Sequence, residues 1–231
     1  MIIGNGLVAK AFEKKYRNAE GIIIFASGVS NSSCKDIKEF ERELELIANT
    51  IERYPLFHFV YFSTCSIYDN TLIDSNYVQH KLKIEKFIAN NIKSYSIFRI
   101  PNLVGFTDNP HTILNYLYNC IQNNLPFQLW KNSTRNFLDI DDLVTIADEF
   151  IQLPEKHNQI INIASPRSYS IMEIVSLIES FCNKNGMFTF VDKGTNFNIN
   201  IEDIKPFLFL CPNMSDPNYL IILLNKYFLP K

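Results

Sequence analysis

Two kinds of hydrophobic pattern alternate along the first 105 residues. Residues 21–26 form a continuous apolar run rich in β-branched side chains, typical of a strand buried on both faces of a parallel sheet. Residues 36–53 instead place apolar side chains at helical spacing, with charged residues between them. The pattern predicts strands at residues 1–3, 21–26, 58–62 and 95–99, and helices at residues 7–16, 36–53 and 77–92. This alternation predicts right-handed crossovers and a doubly wound parallel sheet.

Beyond residue 105 the pattern becomes mixed. It predicts helices at residues 112–122, 140–152 and 171–184, strands at residues 127–129 and 159–163, and then an irregular tail. No glycine- or serine-rich linker separates the two parts. We therefore divide the chain into residues 1–105, which carry the sheet, and residues 106–231, a mixed α/β lobe that covers the substrate side without being an independent domain.

Composition and charge exclude several classes of partner. The 231 residues carry a net charge of −2, and no more than two basic residues are adjacent, which argues against nucleic acid. No apolar run approaches the ~20 residues that cross a bilayer, and the first residues show no basic leader, so we expect no membrane segment. Five scattered cysteines without C-x-x-C pairs indicate reduced thiols in the cytoplasm and neither a disulfide framework nor a metal site.

The segment Gly4-Asn5-Gly6-Leu7-Val8-Ala9 joins the first predicted strand to the first predicted helix. Its G-x-G-x-x-A pattern is typical of a turn that holds a dinucleotide pyrophosphate. The first glycine permits the tight turn, the second lets the phosphates approach the backbone, and the small alanine lets helix and strand pack closely. The helix would then offer its N-terminal N–H groups to the phosphates. An ordinary strand–helix turn is the alternative, but only seven glycines occur in the whole chain.

A strand is missing where a dinucleotide-binding fold normally has one. Such folds place a strand directly after the first helix, ending in an acidic residue that binds the adenosine ribose. Here the first helix is followed by a short turn at residues 18–20 and then by a strand that ends in Ala26-Ser27-Gly28. About two strands and one helix are therefore expected to be absent, which leaves the adenosine side of the pocket shallow or rebuilt.

Three side chains form the candidate catalytic group. Tyr77 and Lys81 are four residues apart in a predicted helix, which puts both on one face. The ammonium group is expected to favour the phenolate of Tyr77 and to bring the pKa of Tyr77 from about 10 toward the working range. Thr64, at the end of a strand, could hold a substrate oxygen beside the tyrosine proton.

These residues resemble the extended short-chain dehydrogenase/reductase family, in its branch of NAD(P)-dependent nucleotide-sugar epimerases and reductases. Seven loose motifs follow one another in the family's order over nearly the whole chain. They are residues 4–9, Phe25-Ala26-Ser27-Gly28, Phe62-Ser63-Thr64-Cys65-Ser66-Ile67-Tyr68, the pair Tyr77 and Lys81, Arg99-Ile100-Pro101-Asn102-Leu103-Val104-Gly105, residues 135–143 and residues 161–173. The resemblance implies an α/β, doubly wound parallel (Rossmann-like) sheet that lacks about two strands after the first helix and carries a small C-terminal substrate lobe.

The resemblance also implies roles for individual residues. Catalysis is expected from Thr64, Tyr77, Lys81 and His111. Substrate binding is expected from Ser66, Asn102 and Arg135, whose guanidinium would contact the diphosphate of a sugar nucleotide. Cofactor binding is expected from a longer set, namely Gly4, Asn5, Gly6, Leu7, Val8, Ala26, Ser27, Gly28, Ser63, Tyr77, Lys81, Pro101, Asn102 and Leu103. For Arg135 a surface ion pair with Asp139 or Asp141 is the alternative.

The reaction is narrowed by one departure from the family. Its sugar dehydratases carry Asp-Glu after the catalytic threonine, whereas this chain has Cys65-Ser66, so dehydration is disfavoured. Reduction of a keto sugar or epimerisation remains. His111 lies where a two-function relative has a proton-moving histidine, although an exposed histidine at a helix start is the more common situation. Cys65 is more simply explained as a buried, unreactive thiol.

The expected cofactor is NAD(P), with NADP slightly favoured because Lys10, Lys14, Lys15 and Arg17 could reach a 2′-phosphate, although a solvated helix face explains them equally well. The expected partner is a nucleotide-sugar substrate, used in surface polysaccharide synthesis. A homodimer through the two long helices is expected by analogy with the family. A non-catalytic dinucleotide-fold protein that binds or regulates is the rival hypothesis.

Overall fold

A computed structural model describes residues 1–229. In chain order its elements are β1 (Ile2–Ile3), α1 (Leu7–Tyr16), β2 (Ile22–Phe25), α2 (Ile37–Arg53), β3 (His58–Thr64), α3 (Asn76–Asn91), β4 (Tyr95–Ile100), β5 (Asn102–Val104), α4 (Ile113–Gln122), β6 (Phe127–Trp130), β7 (Thr134–Asp139), α5 (Ile140–Ile151), β8 (Gln159–Asn162), β9 (Ser168–Ser170), α6 (Ile171–Cys182), β10 (Phe188–Val191) and α7 (Tyr219–Phe228). Short 3₁₀ helices occur at Cys65–Tyr68, Pro154–Lys156, Glu202–Leu210 and Pro212–Ser215.

The central sheet is parallel and has five strands in the order β1-β2-β3-β4-β8. This confirms the predicted parallel α/β sheet. The absence of strands after the first helix is confirmed as well, because α1 leads directly to β2 and β1 lies at the edge of the sheet. β8 belongs to this sheet although it comes late in the chain, so the second half of the chain completes the core that the first half begins.

Helices cover both faces of the sheet. On one face, Phe12 of α1 and Phe150 of α5 share a buried cluster with Val60 and Phe62 of β3. The other face is covered by α2 and α3, whose buried isoleucines pack against Phe59 and Tyr61 of the same strand. Side chains of β3 alternate between these two clusters, as the geometry of a strand requires. The doubly wound arrangement follows from this packing.

The expectation that every crossover is right-handed is wrong. The steps from β1 to β2 and from β2 to β3 run in the same direction across the sheet, yet α1 and α2 lie on opposite faces. These two crossovers therefore have opposite hands. The step from β3 to β4, with α3 on the same face as α2, shares the hand of the second. The long step from β4 to β8, whose last helix α5 lies on the same face as α1, shares the hand of the first.

The packing of α1 accounts for the difference between the first two crossovers. Tyr16 and Lys15 both bond to Asp148 of α5, which holds α1 on the α5 face of the sheet. β2 follows α1 directly and pairs in parallel with β1. The helix α2, which follows β2, instead packs on the other face together with α3.

The predicted irregular tail is wrong in two places. β10 pairs in parallel with β6, and α7 buries Leu220, Leu223 and Leu224 in the larger core. The hydroxyl of Tyr219 anchors α7 by donating to Asp142 over 2.6 Å and accepting from the backbone N–H of Asp139 over 2.8 Å. The tail is ordered because it contacts α5 and α6. No helix within residues 1–229 combines the length and the hydropathy needed to span a bilayer.

Candidate active site

The carboxyl ends of β1, β2 and β3 meet at one edge of the sheet, and the glycine turn lies there. Gly4 has φ +126°, a conformation that side-chain-bearing residues rarely adopt. A Cβ atom at Gly4 would lie 2.4 Å from the carbonyl oxygen of Ala26, so the ends of β1 and β2 approach as closely as their backbones allow. The backbone N–H of Ala26 donates to the carbonyl of Ile3 over 2.7 Å. The first predicted role of the turn, a tight strand–helix junction, is present.

The N-terminus of α1 is open for an anion. Gly6 is the N-cap residue, and no described side chain caps this helix. No acidic residue lies in its first turn, and a Cβ atom at Gly6 would meet nothing within 4 Å. The first N–H groups of the helix therefore remain available to a phosphate, which the helix dipole also favours. Gly4, Asn5 and Gly6 are exposed, while Leu7 and Val8 are half-buried against the core. These residues fit the pyrophosphate of a dinucleotide.

The Ser27-Gly28 turn at the end of β2 lies between the edge of the sheet and α2. The Ser27 carbonyl accepts from Arg42 over 3.1 Å. At Gly28 a Cβ atom would lie 2.8 Å from both Glu43 Oε1 and Lys81 Nζ. Glycine is required here because a buried ion pair occupies the space that a side chain would need.

Thr64, Tyr77 and Lys81 are brought together as the sequence predicts. All three are buried, with 6%, 7% and 2% of their surfaces exposed. The Thr64 hydroxyl lies close enough to Tyr77 to lower the pKa of the phenol, and Thr64 Oγ1 accepts from the backbone N–H of Ser66 over 3.0 Å. Lys81 Nζ lies 6.0 Å from the centre of the Tyr77 ring. Ser75 caps α3 by accepting from the N–H of Val78, which fixes where Tyr77 and Lys81 leave the helix.

The expected lowering of the pKa of Tyr77 is not found. Burial raises the pKa of Tyr77 to about 12, and the charge of Glu43 adds to this shift, while the hydrogen bond with Thr64 opposes it. Desolvation disfavours the phenolate more strongly than the nearby ammonium group favours it. The sequence argument considered the lysine alone and missed the carboxylate beside it.

Glu43 is the site residue that sequence reasoning missed. Its side chain is fully buried and accepts from four donors. They are Val29 N at 2.6 Å, Tyr61 OH at 2.6 Å, His80 Nε2 at 3.0 Å and Lys81 Nζ at 3.2 Å. Burial alone would raise the pKa of Glu43, but the bonds from His80, Lys81, Tyr61 and Val29 lower it to about 2. The carboxylate is thus ionised at neutral pH.

Lys81 is fully engaged by protein groups. Its ammonium donates to Tyr61 OH at 2.8 Å, to Glu43 Oε1 at 3.2 Å and to the Phe62 carbonyl at 3.5 Å. An ammonium has three donors, so each is used. Burial lowers the pKa of Lys81, and the Glu43 carboxylate opposes that shift. A cofactor hydroxyl would have to replace one of these acceptors in order to contact Lys81.

A second buried ion pair supports the neighbouring strand. Arg99 contacts Glu85 with two nitrogens, at 2.9 and 2.6 Å, and Glu85 also accepts from the Ser63 hydroxyl at 2.5 Å. Ser63 is 2% exposed, so its hydroxyl supports the strand end from within, and only its backbone borders the cleft. The third Arg99 contact, to Tyr68 OH at 3.2 Å, ties the 3₁₀ helix after Thr64 to β4.

The substrate side of the site is built around β5 and β7. Asn102 donates to the carbonyl of Asn136 over 2.9 Å, and Pro101 and Leu103 are half-buried beside it. Arg135 donates to the carbonyl of Thr134 over 2.8 Å, and no carboxylate of residues 1–229 lies within salt-bridge distance of its guanidinium. The alternative pairing of Arg135 with Asp139 or Asp141 is wrong, because both carboxylates bond to Lys226.

Asp69 brings a further charge to this side. It is 1% exposed, its Oδ1 accepts from Thr71 and Thr195, and its Oδ2 is buried without a described partner. Burial lowers the pKa of Arg135, and the charge of Asp69 opposes that change. Ser66 is half-buried between Thr64 and this acidic residue.

Three further sequence predictions concern His111, Cys65 and the basic residues in and just after α1. His111 is exposed in the loop before α4, where its backbone N–H bonds to Asn109. Cys65 is 2% exposed, and burial raises the pKa of its thiol to about 12, in keeping with an unreactive cysteine. On α1, Lys15 bonds to Asp148 and Arg17 to Glu13, so these two of the four basic residues are already paired.

Two surface hollows of about 510 and 440 Å³ contain none of the predicted catalytic, substrate-binding or glycine-turn residues, although Lys14 and Lys15 line the larger one. The larger one lies between α1 and α5. The smaller one lies between β7, β9 and residues 196–199. Among residues 1–229 no group of three or more His, Cys, Asp or Glu side chains converges as metal ligands do.

Fold and site together define an α/β protein with a Rossmann-like parallel sheet, a glycine turn after the first strand and the Tyr-x-x-x-Lys arrangement. Residues 5–164 match the model of the NAD dependent epimerase/dehydratase family, and this chain belongs to that family. A curated relative, dTDP-D-glucose 4,6-dehydratase of Dictyostelium discoideum, is 26% identical in an alignment 208 residues long. The match covers 77% of this chain and 48% of the relative. The chain therefore spans about half the length of that relative.

Three of the solved structures that share this fold are described next. The alignment with UDP-glucuronic acid 4-epimerase from Bacillus cereus, in complex with UDP-glucuronic acid and NAD, covers 95% of this chain and 79% of the epimerase chain, at 18% identity and TM-score 0.68. The alignment with dTDP-glucose 4,6-dehydratase from Bacillus anthracis, in complex with NAD, covers 87% of this chain and 70% of the dehydratase chain, at 16% identity and TM-score 0.68. The alignment with RMD from Pseudomonas aeruginosa, complexed with NADPH, covers 85% of this chain and 89% of the RMD chain, at 13% identity and TM-score 0.64.

Proposed function

We propose that this protein is an NAD(P)-dependent reductase or epimerase that acts on a nucleotide-activated sugar. The observation that carries the proposal is the convergence of Thr64, Tyr77 and Lys81 at the sheet edge that also holds the open N-terminus of α1. A nicotinamide cofactor supplies or accepts hydride when it is bound. The glycine turn would hold its pyrophosphate, and Gly6 leaves the space that this requires.

The chain's own residues supply proton transfer and orientation. Tyr77 OH is the proton donor or acceptor at the sugar oxygen, and the hydroxyl of Thr64 orients that oxygen. Arg135 would bind the diphosphate of the sugar nucleotide, since its guanidinium has no carboxylate partner among the described residues. Lys81 holds the tyrosine face of α3 in place through its three acceptors.

Dehydration is not proposed, although the curated relative is named a dehydratase. Expulsion of a hydroxyl needs an acid beside the reacting carbon. The two residues after Thr64 are Cys65 and Ser66, and burial keeps the Cys65 thiol protonated, with a pKa of about 12. A thiol held so far from ionisation is a poor acid, and a serine hydroxyl is a poorer one.

Calorimetry and an activity assay test the proposal together. NADPH and NADH are titrated separately into the protein, and the protein is then assayed with UDP- and dTDP-linked keto sugars. Tyr77→Phe should keep cofactor affinity and lose at least ~100-fold in rate, the size of a general-acid contribution. Tyr116→Phe, which changes an exposed tyrosine on α4, is the matched control and should retain full activity. If neither cofactor binds at millimolar concentration, the enzyme proposal fails.

A binding or regulatory protein without turnover is the second candidate. It is favoured by the full engagement of Lys81 with Glu43, Tyr61 and Phe62, and by the absent adenosine-side strands. This candidate predicts cofactor or partner binding that Tyr77→Phe leaves unchanged and no turnover of any keto sugar. The same calorimetry and assay therefore separate the two functions.

Three finer features belong to the same proposal. NADP is slightly favoured as cofactor, with Lys10 and Lys14 as the unpaired basic residues of α1 nearest to the turn in sequence. The biological setting is surface polysaccharide synthesis in the cytoplasm. A homodimer through α2 and α3 is expected, and sedimentation velocity at micromolar concentration measures it directly.

A further inference from the structure

A buried carboxylate stands beside the candidate catalytic pair, and nothing in the proposed reaction uses it. Glu43 reaches Lys81 from α2, and its Oε1 accepts from the Lys81 ammonium over 3.2 Å. Its second oxygen binds His80 and the N–H of Val29, so the carboxylate is held at both ends. The absence of a side chain at Gly28 creates the space for this pair. Four hydrogen-bond donors to Glu43, together with the glycine at position 28, indicate that the fold specifies the position of this carboxylate.

The charge of Glu43 changes what Lys81 can do for Tyr77. An isolated ammonium next to a tyrosine stabilises the phenolate. An ammonium and a carboxylate that form an ion pair have almost no net charge, so the pair stabilises the phenolate much less. Of the other ionisable groups around the cluster, Tyr61 is neutral, Cys65 is a protonated thiol, and Glu85 is paired with Arg99. His80 bonds to the second oxygen of Glu43, away from Lys81.

We propose that Glu43 is a positioning residue that offsets the charge of Lys81 and so keeps Tyr77 in its proton-donating form. The role of Tyr77 as proton donor to a sugar carbonyl rests on the function proposed above; the charge effect on Tyr77 does not. In reduction the carbonyl carbon gains hydride from a reduced nicotinamide, the C=O π bond breaks, and the oxygen takes the Tyr77 proton. The nicotinamide is oxidised, and Tyr77 regains a proton from solvent.

The two protonation states of Tyr77 serve different steps. Oxidation of a sugar hydroxyl needs the phenolate as proton acceptor, and reduction of a keto sugar needs the protonated form as donor. Burial and the charge of Glu43 raise the pKa of Tyr77 to about 12, so the proton-donating form is present throughout the working range.

NMR titration of the cofactor-free protein tests the charge effect directly. Tyrosines carry ¹³C at the ζ position, and the spectrum of Tyr77→Phe assigns the Tyr77 signal among the 11 tyrosines. In the unchanged protein Tyr77 should stay protonated up to roughly pH 10.5, above the ordinary tyrosine value. In Glu43→Gln it should ionise at least about one pH unit lower than in the unchanged protein. Glu43→Asp keeps the charge and should titrate like the unchanged protein.

Several results would overturn the proposal. Ionisation of Tyr77 at or below about pH 10 in the unchanged protein would do so without any variant, as would a Glu43→Gln titration that matches it. Glu39→Gln, one turn earlier on the exposed face of α2, is the control and should have no effect. Glu43→Ser, which leaves room for water in place of the carboxylate, repeats the test if the glutamine variant does not fold.

Kinetics then separate this inference from the proposed function. In Glu43→Gln the pH at which the rate of ketone reduction falls, because Tyr77 loses its proton, should move down by at least about one unit with the titration. An unchanged pH profile with a shifted titration would reject the role of Tyr77 as proton donor alone. Absence of any turnover with a shifted titration would reject the proposed function and leave the Glu43–Tyr77 relationship standing.

Discussion

Gly4 lies so close to Ala26 that a Cβ atom on the glycine would be 2.4 Å from the alanine carbonyl oxygen. Gly4 also has φ +126°, so Gly4→Ala faces both a steric conflict and backbone strain. We expect it to lower the free energy of unfolding by about 1–3 kcal/mol. Urea denaturation followed by circular dichroism measures this. A loss below about 0.5 kcal/mol would mean that the ends of β1 and β2 can separate freely.

Gly6 provides the contrasting prediction in the same turn. Its φ of −78° suits any residue, and a Cβ atom there meets no protein atom within 4 Å. Gly6→Ala should therefore cost less than about 1 kcal/mol of stability. Its methyl group would, however, stand where a pyrophosphate approaches the backbone, and NADPH affinity should fall at least about tenfold. Calorimetry on the folded variant measures the affinity. Unchanged binding would show that the phosphates do not lie over this glycine.

Local elements could be predicted from the sequence because their causes are local. α1 begins and ends at the predicted residues, and β3 and β4 begin where predicted, each ending one or two residues later than expected. Asp36 was included in the predicted helix, but it is the N-cap of α2, where its side chain accepts from the N–H of Lys38. Apolar spacing and capping chemistry act over a few residues, so the pattern records them.

The features that were missed depend on distant parts of the chain. β10 forms only because it pairs with β6, about sixty residues earlier. The difference in hand between the first two crossovers depends on which face of the sheet α5 occupies. In sequence, Glu43 reads as one more charged residue of an amphipathic helix. Its partners Tyr61, His80 and Lys81 lie 18 to 38 residues away. Glu43 directly precedes Leu44, and nothing in the helical pattern indicates that this glutamate is buried.

Arg135 is expected to bind a diphosphate. Its guanidinium bonds only to the Thr134 carbonyl among the contacts described, so Arg135→Met removes charge without leaving a buried carboxylate unpaired. We expect affinity for UDP or dTDP to fall at least about tenfold, since a charge-assisted hydrogen bond contributes roughly 1.5–3 kcal/mol. Calorimetry with each nucleotide measures this.

Arg167→Met is the matched control for that experiment. Arg167 is an exposed arginine that bonds to Glu173 and to the carbonyl of Pro217, so its removal should leave nucleotide affinity unchanged. Equal losses in the two variants would show that general surface charge, and not a specific contact, attracts the nucleotide. Salt dependence of the affinity would then account for both losses.

His58 is expected to make stability depend on pH. Its ring stacks on His157 with centroids 3.6 Å apart and bonds to Ser94 and Ser96 at 2.8 and 3.1 Å. Burial lowers the pKa of His58 from 6.5 to about 3, and the nearby His157 adds to this shift. Between these two values the unfolded chain binds a proton that the folded protein does not. Stability is therefore complete above pH 6.5 and is lost as the pH falls toward 3.

Urea unfolding between pH 7.5 and 5 measures this loss. His58 should contribute a decrease of as much as about 2 kcal/mol between pH 6.5 and 5, since each pH unit is worth about 1.4 kcal/mol for one proton. His58→Asn has no titrating group, so its deficit relative to the unchanged protein should be constant above pH 7 and shrink as the pH falls. His111→Asn changes an exposed histidine and should run parallel to the unchanged protein throughout. A constant deficit for His58→Asn from pH 7.5 to 5 would mean that the folded protein takes up the proton at His58, and that the buried histidine pair tolerates a charge.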